Sequence, residues 1–509
     1  MHRSDGAPRH RAPGAGRAAA RARHASERGE GFGRFIAVTV LALVPGAGLI
    51  AAGRRIVGWA VLGTTILALA AAAAYLLAGD VRNRLLALAQ LAVQQSWLVA
   101  GIVAIVVVGL LWCLSVLFTA WVARPVRPTS AQRFGGVALV AALVAAIAAP
   151  SSVGVRYALI QHDILKSSVF SQGPDTSVPA GSVSAAAPDA GAPDPWAGTP
   201  RYNILLLGSD AGEDRTGVRP DSMIVASINT QTGDTVLFGV PRNLQDVPFS
   251  PSNPLHEIYP DGFNCGDRCL MNAVWEEAAT SYPGLFPGVA NPGLYATRDA
   301  ISQVLGIPID TYTIIDLDGF QSLVDAMGGV VVNVPRRIPI GGGETLSKRQ
   351  LPIYGYIEPG TRRLDGYRAL WFARSREGST DYDRMDRQRC MVTALLDQSN
   401  PAKLLAQYPA LARVAKNNIQ TGIRTQDLSA LVTLVERVQK GKITSLPLTN
   451  KVISTVDPDF DQIHTLVRNA IDPPPAKPKP SASPSATPQT TPTKEPVDTG
   501  AAQDSATVC

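Results

Sequence analysis

Cysteine is scarce in this chain, which has five in 509 residues. Only Cys265 and Cys269 lie close together, and no second pair of ligands accompanies them, so a disulfide is favoured over a zinc half-site. We expect Cys113 inside a membrane, Cys390 buried on a helix and Cys509 free on a disordered tail. The sequence therefore predicts one cross-link, in a compartment where disulfides persist.

The N-terminus lacks a secretory signal peptide, because no small-residue cleavage site closes a short apolar core. The first 34 residues hold eight arginines and three acids, are rich in alanine and glycine, and cannot bury a core. We predict a disordered basic tail in the cytoplasm. Its charge is compatible with nucleic acid, but the apolar block that follows favours a membrane protein and no nucleic-acid partner.

Three stretches are long and apolar enough to cross a bilayer, which takes about 20 residues. They are Val57–Ala78, Trp97–Val122 and Phe134–Val155. A fourth, Phe35–Ala52, is shorter and is interrupted by Pro45, Gly46 and Gly48, so it reads as a re-entrant or interfacial segment. We predict a membrane region over residues 35–156.

The arginines suggest how this region is oriented, because cytoplasmic loops carry the excess of positive charge. The tail, Arg54–Arg55 and the loop 124–133 are all cytoplasmic only if Phe35–Ala52 enters and returns and the next three segments cross. Everything after residue 156 is then outside the cell. If Phe35–Ala52 crossed fully, the large domain would face the cytoplasm, and Arg82 and Arg84 are a mild argument against the first arrangement.

Composition divides the rest of the chain into three parts. Residues 157–200 are expected to be a linker, and residues 473–509 a disordered Pro-rich tail. Between them, 201–472 reads as one α/β domain with helices packed on a central sheet. Predicted strands are NILLLG, SMIVASI, TVLFGV, TYTIIDL and GVVVNV; predicted helices are Arg298–Leu305, Gly319–Met327, Gly366–Ala373, Met385–Gln398 and Asp427–Gln439.

Arginines concentrate in the segment ARSREGSTDYDRMDRQ, residues 373–388. Arg384 and Gln388 are four apart and share a helix face, whereas Arg374 and Arg376 point to one side if their segment is extended. The arginines could form solvated salt bridges with Asp381, Asp383 and Asp386. Converging guanidinium groups more naturally enclose a phosphate, which they bind at two oxygens at once.

Two aspartates beside predicted strands extend this pattern. Asp210 follows NILLLGS, Asp221 precedes SMIVASI, and Arg242 follows TVLFGVP. Each aspartate alone is more commonly a turn or helix cap, but strand ends in open α/β sheets gather ligands. Carboxylates of this kind bind Mg²⁺, and Mg²⁺ with several arginines suits a pyrophosphate.

These motifs, in this order, resemble the LytR-CpsA-Psr family over about residues 200–440. The motifs are NILLLGSDAGEDRTGVRPDSMIVASIN, VLFGVPRN, DRCLMNAVWE, LVDAMGGVVVNVP and LDGYRALWFARSREGSTDYDRMDRQ. The resemblance implies a three-layer α/β/α domain with a central mixed sheet and a long apolar cavity. It also implies a membrane-anchored enzyme outside the cell that moves a glycopolymer from a polyprenyl-pyrophosphate carrier onto peptidoglycan, using Mg²⁺.

Carried over by motif, the resemblance assigns the site residues. Asp210 and Asp221 would hold Mg²⁺. The pyrophosphate would be bound by Arg242, Arg374, Arg376, Arg384, Arg387 and Gln388. The catalytic set would be Asp210, Arg242, Arg374 and Arg376, with Asp210 or Asp383 as candidate base.

The chain departs from the family pattern at three points. Asn243 stands where the family usually has aspartate, a multi-pass block replaces the usual single anchor, and a Pro-rich tail replaces a C-terminal domain found in some members. Composition and the RQRC and CGDRC motifs look like mycolata-type actinobacteria, which makes arabinogalactan on decaprenyl-pyrophosphate the expected donor. Two alternatives stay open: a polyprenyl-pyrophosphate pyrophosphatase, and a non-catalytic membrane regulator.

Overall fold

The computed structural model describes residues 31–77, 81–126, 128–170, 188–189, 192–209, 220–343, 349–398, 404, 406–474 and 502–504. The chain forms two compact units. The first consists of residues 1–88 and 95–159, and the second of residues 89–94 and 160–509. The predicted tail over 1–34 lies outside the described residues except for 31–34, which begin a helix.

The first unit is helical. In chain order the helices are α1 (Gly31–Leu41), α2 (Ala47–Ala51), α3 (Arg55–Leu77), α4 (Val81–Ala92), α5 (Gln95–Ala123) and α6 (Ser130–Lys166). In the described part of the chain, α3, α5 and α6 are long and apolar enough to cross a membrane. They coincide with the three predicted spans. Many of their large apolar side chains are exposed.

The segment Phe35–Ala52 is broken, as its Pro and Gly residues predict. A turn that contains Pro45 and Gly46 separates α1 from α2. Gly46 has φ +86° and lies so close to α3 that a Cβ would stand 2.3 Å from the carbonyl oxygen of Gly58. Only glycine fits such a contact in that conformation, so the break is part of the packing.

A seven-stranded mixed sheet organises the second unit, with two separate two-stranded ribbons. The strands are β1 (Arg201–Ser209), β2 (Pro220–Asn229), β3 (Thr235–Gly239), β4 (Thr311–Asp316), β5 (Val330–Val334), β6 (Ile338–Gly341), β7 (Ile353–Ile357), β8 (Gly360–Leu364), β9 (Ile419–Thr421), β10 (Ile443–Pro447) and β11 (Gln503–Asp504). The sheet order is β11-β10-β3-β2-β1-β4-β9, and the ribbons are β5–β8 and β6–β7. Pairs β1–β4 and β3–β10 are parallel, whereas β1–β2 and β2–β3 are antiparallel.

The helices of this unit connect or cover the strands. They are α7 (Leu255–Ile258), α8 (Val274–Glu276), α9 (Pro292–Leu305), α10 (Leu317–Ala326), α11 (Gly366–Arg374), α12 (Asp381–Asp397), α13 (Tyr408–Asn418), α14 (Leu428–Val438) and α15 (Phe460–Ile471). Shorter helical turns are Met271–Ala273, Glu277–Ser281, Pro283–Leu285 and Thr425–Asp427. The five predicted strands and five predicted helices are all present, with ends shifted by several residues.

Alternation along the strands explains why helices lie on both faces of the sheet. Leu205, Met223 and Val225 face the largest core cluster, to which α9 and α15 contribute. Their neighbours Ile224 and Ala226 face the other side, where α12 packs. Because successive side chains on a strand point to opposite faces, both faces are apolar and each needs a helical layer. The predicted α/β fold with a mixed central sheet is confirmed.

The segment 157–200, predicted as a linker, is ordered at both of its ends. Helix α6 continues to Lys166, and residues 192–200 pack on the α/β unit. Trp196 is 0% exposed, its indole N–H donates to the Ala430 carbonyl at 2.9 Å, and its ring meets Tyr202 edge-on. Burial of this indole removes apolar surface from water and helps to hold the segment against the α/β unit. Residues 171–187 lie outside the described part.

The Pro-rich C-terminal segment also differs from the prediction at one point. Residues 475–501 and 505–509 lie outside the described residues, but Gln503 and Asp504 form β11. This strand pairs antiparallel with Ser445 and Thr444 of β10 and is the last strand of the sheet on that side. The chain therefore returns to the sheet near its C-terminus.

Candidate functional site

Charged residues from four segments of the chain meet where β2 begins and β3 ends. Asp221 is the second residue of β2, Arg242 follows β3, and Arg376 lies in the loop between α11 and α12. Asp381 and Arg384 belong to the first turn of α12. We call these five residues the charged cluster. They are up to 163 positions apart in the sequence, and the strand order brings them together.

The start of α12 is held by a capping box. The Thr380 hydroxyl accepts from the Asp383 N–H, and the Asp383 carboxylate accepts from the Thr380 N–H. This exchange satisfies two backbone donors that the helix leaves unpaired, and it fixes where the helix begins. Asp381 is consequently the first helical residue and its carboxylate lies beside the loop that carries Arg376.

Within the charged cluster, each carboxylate is shared between arginines. Asp221 accepts from Arg242 at 2.8 Å and from Arg376 at 3.0 Å, one bond to each carboxylate oxygen. Asp381 accepts from Arg242 at 3.2 Å and from Arg384 at 3.0 Å, and it lies 3.7 Å from Arg376. Three guanidinium groups face two carboxylates, so the cluster keeps one net positive charge.

Burial and neighbouring charges oppose each other at these groups. Burial by itself would raise the pKa of Asp221, but Arg242, Arg376 and Arg384 outweigh it and the pKa lies below its usual range. Burial lowers the pKa of Arg384 to about 10, against the opposing effect of Asp381. Both groups remain charged at neutral pH, and Arg384, 2% exposed, is a buried cation that depends on its carboxylate partner.

The prediction that Arg384 and Gln388 share a helix face is confirmed, because both line the same small pocket with Asp221 and Arg242. Arg374 and Arg376 were expected to point to one side if their segment were extended, and this condition is not met at Arg374. Arg374 is the last residue of α11, with its guanidinium carbon 5.4 Å from the centre of the Trp371 ring. The strand alternation that would point both side chains to one side therefore does not apply to Arg374 and Arg376.

Arg387 has backbone partners. It is buried and donates to the carbonyl oxygen of Phe372 at 2.6 Å and to that of Ser375. These bonds tie α12 to the end of α11 and to the residue before Arg376. Arg387 thus positions the loop of the charged cluster. A direct role on a pyrophosphate stays a prediction.

Asp381 is a member of the charged cluster that sequence reasoning did not place in the candidate site. In the sequence it was only one of several acids available for solvated salt bridges, but it accepts from Arg242 and Arg384 and lies 3.7 Å from Arg376. The other two acids do act as salt-bridge partners: Asp383 pairs with Arg336 and Asp386 pairs with Arg389. The i,i+3 spacing to Arg384 and the preceding Thr380 cap were the signals in the sequence.

Of the two predicted Mg²⁺ ligands, one lies in the described part of the chain and one does not. Asp210 lies outside the described residues, whereas Asp221 belongs to the charged cluster. In the described part of the chain no three or more His, Cys, Asp or Glu residues come together as a candidate metal site. Asp221 itself suits Mg²⁺, because it is a hard oxygen donor kept ionised by its surroundings.

The loop after Arg242 is braced by the segment around the disulfide. Cys265 and Cys269 are bonded to each other, so their sulfurs cannot form the alternative zinc half-site. Three residues later, the Asn272 N–H donates to the carbonyl of Arg242 at 3.1 Å. Cys269 is 2% exposed within the main core cluster. The short disulfide loop thereby anchors the backbone that supports Arg242.

Asn243 occupies the position of the usual family aspartate. Its amide lies 3.5 Å from the Thr455 hydroxyl, and its Oδ1 is buried without a hydrogen-bond partner in the described structure. An amide at this position adds no negative charge beside Arg242. The cluster is therefore more positive here than it would be with aspartate, which suits a more highly charged anion.

Comparison with known proteins identifies relatives of the α/β unit. A model of the LytR_cpsA_psr family matches residues 181–466, more than half of the chain. A polyisoprenyl-teichoic acid–peptidoglycan teichoic acid transferase, TagV of Bacillus subtilis, is 27% identical over 252 residues, 49% of this chain and 56% of TagV. TagU of Oceanobacillus iheyensis is 27% identical over 45% of this chain and 62% of TagU. The chain spans only somewhat more than half the length of these relatives.

Solved structures with similar chains include B. subtilis TagV, with a TM-score of 0.36, 23% identity and coverage of 54% of this chain and 98% of that chain. Another is the protein YwtF (TagT) with bound octaprenyl pyrophosphate lipid. It has a TM-score of 0.34 and 16% identity over 53% of this chain and 89% of that chain.

Proposed function

Because this chain belongs to the LytR-CpsA-Psr family, we propose that it transfers a glycopolymer from a polyprenyl-pyrophosphate carrier to peptidoglycan. The observation that supports this most is the charged cluster, in which three arginines and two carboxylates keep a net positive charge. A diphosphate would compete with Asp221 and Asp381 for the guanidinium forks. Relatives whose names state a teichoic acid–peptidoglycan transfer agree with this reaction class.

In the proposed reaction, a hydroxyl of peptidoglycan attacks the phosphorus that is bonded to the glycopolymer sugar. The phosphoanhydride bond breaks, polyprenyl phosphate leaves, and a phosphodiester links the two polymers. Arg242, Arg376 and Arg384 stabilise the negative charge that builds up on the phosphate oxygens as this bond breaks. Asp221 and Asp381 hold these arginines at the site before the diphosphate binds.

The hydroxyl proton has to reach a base. Asp383 is a poor candidate, since its carboxylate caps α12 and pairs with Arg336. Its pKa is lowered: burial opposes this, but the bonds from Thr380 and the charge of Arg336 dominate. Asp210, the other candidate, stays a proposal because it lies outside the described residues.

Magnesium is proposed at Asp221, with Asp210 as its second carboxylate. When bound, Mg²⁺ would act as a Lewis acid on the pyrophosphate oxygens. Asp221 is held ionised by Arg242 and Arg376, which keeps a ligand ready at the cluster. Arginines that turn towards a diphosphate would release the Asp221 oxygens.

The proposed donor is arabinogalactan on decaprenyl-pyrophosphate, on the strength of composition and of the RQRC and CGDRC motifs. The proposal puts the α/β unit outside the cell, next to peptidoglycan, with α3, α5 and α6 as membrane spans. The curated relatives carry teichoic acid in their names, so this polymer is the competing donor.

Transfer can be tested with the full chain in lipid nanodiscs, radiolabelled lipid-linked donors and peptidoglycan acceptor. We expect a phosphodiester-linked product from an arabinogalactan donor with Mg²⁺, and loss of about 10²–10³ in rate for Arg376→Ala. The matched control is Arg362→Ala, because Arg362 is exposed and donates only to the Pro359 carbonyl among its described contacts.

Three other outcomes would each favour an alternative function or donor. Release of polyprenyl phosphate without acceptor linkage would identify a pyrophosphatase. Efficient transfer of a teichoic acid donor alone would overturn the arabinogalactan assignment. Absence of turnover with either donor, while the protein still binds lipid-linked substrate, would favour the non-catalytic regulator.

A further inference from the structure

The ribbon of β6 and β7 has one buried face and one exposed face. Ile338, Ile340 and Ile357 are buried in one apolar cluster of the α/β unit. Side chains at the alternate positions of the two strands point the other way. We call this side the outer ribbon face, and its members are Arg337, Pro339, Tyr354 and Tyr356.

Tyr354 is the most exposed aromatic side chain of the outer ribbon face, at 73% exposed. The register of the ribbon shifts between Ile340 and Gly341, beside this ring. Gly341 has φ +91°, and a Cβ there would stand 2.7 Å from the Tyr354 ring. Glycine therefore lets the ring lie against the ribbon backbone, while most of the side chain stays in contact with solvent.

Arg337 is held beside this ring by two contacts. Its guanidinium carbon lies 3.7 Å from the centre of the Tyr356 ring, and its Nε donates to Glu358 at 2.9 Å. Stacking and the ion pair together fix the plane of the guanidinium group. Because the bond to Glu358 uses Nε, the terminal N–H groups remain to donate to a ligand. The outer ribbon face thus combines an open aromatic ring with an oriented cation.

Strand β6 is attached at both of its ends to the region of the charged cluster. Before the strand, Arg336 pairs with Asp383 in the first turn of α12 at 3.1 Å. After the strand, the Gly343 N–H donates to the carboxylate of Glu377, the residue after Arg376, at 3.0 Å. Strand β7 is the next strand, about 5 Å further away. A polymer on the outer ribbon face therefore lies close to the loop that carries Arg376.

The chemistry of this face favours a carbohydrate that also carries negative charge. The C–H groups of a sugar ring form an apolar surface that packs on the face of an aromatic ring, which the ring quadrupole attracts. The described residues of 336–358 include three arginines and one glutamate, and the adjacent charged cluster is also net positive. Peptidoglycan strands have both features, because their sugars carry peptide stems with carboxylates.

The proposed reaction needs a place for a second polymer. The charged cluster accounts for the diphosphate of the donor, whereas the attacking hydroxyl belongs to the acceptor and has to be held near the phosphorus. We propose that the outer ribbon face binds the glycan strand of the acceptor, with Tyr354 stacked on a sugar ring and Arg337 donating to a stem carboxylate. This inference rests on the proposed function and states where its acceptor binds.

Binding is measured directly, with the full chain in lipid nanodiscs and soluble, uncross-linked peptidoglycan strands that retain their peptide stems. Tyr354→Ala should weaken this binding about 3–10-fold, the effect of one lost aromatic contact. Tyr354→Phe keeps the ring and should bind as the parent protein does. The matched control is Val435→Ala, because Val435 is an exposed apolar residue of α14, outside the ribbon.

Transfer kinetics supply a second readout. In Tyr354→Ala the KM for the peptidoglycan acceptor should rise by the same factor, while kcat and the KM for the lipid-linked donor stay unchanged. Equal acceptor affinity in Tyr354→Ala and the parent protein would overturn the proposal. A rise in the donor KM alone would also overturn it, because the ring would then contact the lipid-linked donor or the membrane.

Two further outcomes separate this inference from the function on which it rests. If the parent protein transferred no polymer but bound peptidoglycan strands, and Tyr354→Ala weakened that binding, the proposed function would fail and the binding surface would stand. If stem peptides without sugars competed as well as whole strands, the stacking of Tyr354 on a sugar would be overturned.

Discussion

At the scale of single residues, Asp381 determines the arrangement of the charged cluster. It bonds to Arg242 and Arg384 and lies near Arg376, so it supports three guanidinium groups from separate elements. Removing its charge leaves the buried Arg384 without its only described carboxylate partner. Asp381 resembles a surface acid in the sequence, but it holds arginines of the charged cluster in place.

We expect Asp381→Asn to lower both stability and transfer rate. Leaving a buried charged donor poorly paired costs about 1–3 kcal/mol, and misplaced arginines no longer meet the developing phosphate charge. Melting temperature and transfer rate should be measured on the same preparations. Asp318→Asn is the matched control, because Asp318 is an exposed acid in the first turn of α10. A variant as stable and active as the control would remove Asp381 from the cluster.

Asp221 predicts a dependence of stability on pH. Its folded pKa lies below its usual value, since the arginines outweigh burial. The contribution of Asp221 is therefore complete above the unfolded pKa of about 4 and is lost as the pH falls through the lower folded pKa. As the pH falls below about 4, the melting temperature should fall, and it should fall less steeply in Asp221→Asn.

In the control variant Asp318→Asn, the melting temperature should depend on pH as steeply as in the parent protein. Asp194, Asp234 and Asp383 also have lowered pKa values, so Asp221→Asn should reduce the slope without abolishing it. Equal slopes for Asp221→Asn and the parent protein would mean that Asp221 is not ion-paired in solution.

At the scale of elements, the first turn of α12 joins local sequence to the site. Its capping box fixes the helix start, and Arg387 ties the helix to the end of α11. The helix then presents Asp381, Arg384 and Gln388 towards β2 and β3. The geometry of the cluster therefore depends on where this helix begins.

Thr380→Ala should destabilise the α/β unit by about 1 kcal/mol, the usual cost of a lost N-cap, and lower its melting temperature by about 2–4 °C. Transfer should fall as well, since Asp381 follows the cap directly. Thr380→Ser keeps the hydroxyl and should restore both quantities. A harmless Thr380→Ala, or a Thr380→Ser variant as impaired as Thr380→Ala, would show that the cap does not control the helix start.

The sequence predicted the strands and helices that have a recognisable pattern of apolar residues in their own segment. Apolar runs bounded by turn residues identified β1 to β5, and helical periodicity identified α9 to α12 and α14. Strand β8 was missed because Thr361, Arg362 and Arg363 are polar and exposed in a small ribbon. Strand β11 was missed because two residues in a Pro-rich segment carry no pattern.

The candidate site was predictable where the residue type alone carries the chemistry. Arg242, Arg376, Arg384 and Asp221 do meet, as the motifs implied. Asp381 was not recognised because its role comes from the approach of β2 and β3 to α12, which is a tertiary property. Burial of Arg387 against backbone carbonyls is likewise invisible in sequence.

At the scale of the whole molecule, three long apolar helices precede the α/β unit. If the arginine-rich N-terminus lies in the cytoplasm and these three helices cross the membrane, the α/β unit is extracytoplasmic, which stays a prediction. We expect protease added to intact spheroplasts to remove residues after 200, and a periplasm-type reporter fused there to be active. Activity of a cytoplasm-only reporter at that position would reverse the orientation.

The packing of Trp196 limits where the α/β unit can be cut from the rest of the chain. Besides the tryptophan, the Thr199 carbonyl accepts from the Thr230 hydroxyl, and Asp194 pairs with Arg437 of α14 at 2.9 Å. A recombinant fragment that starts at Arg201 would expose Tyr202 and Ala430, which the indole covers. Crystallisation or screening of a soluble fragment should therefore begin upstream of Asp194, because a shorter fragment invites aggregation through that uncovered apolar surface.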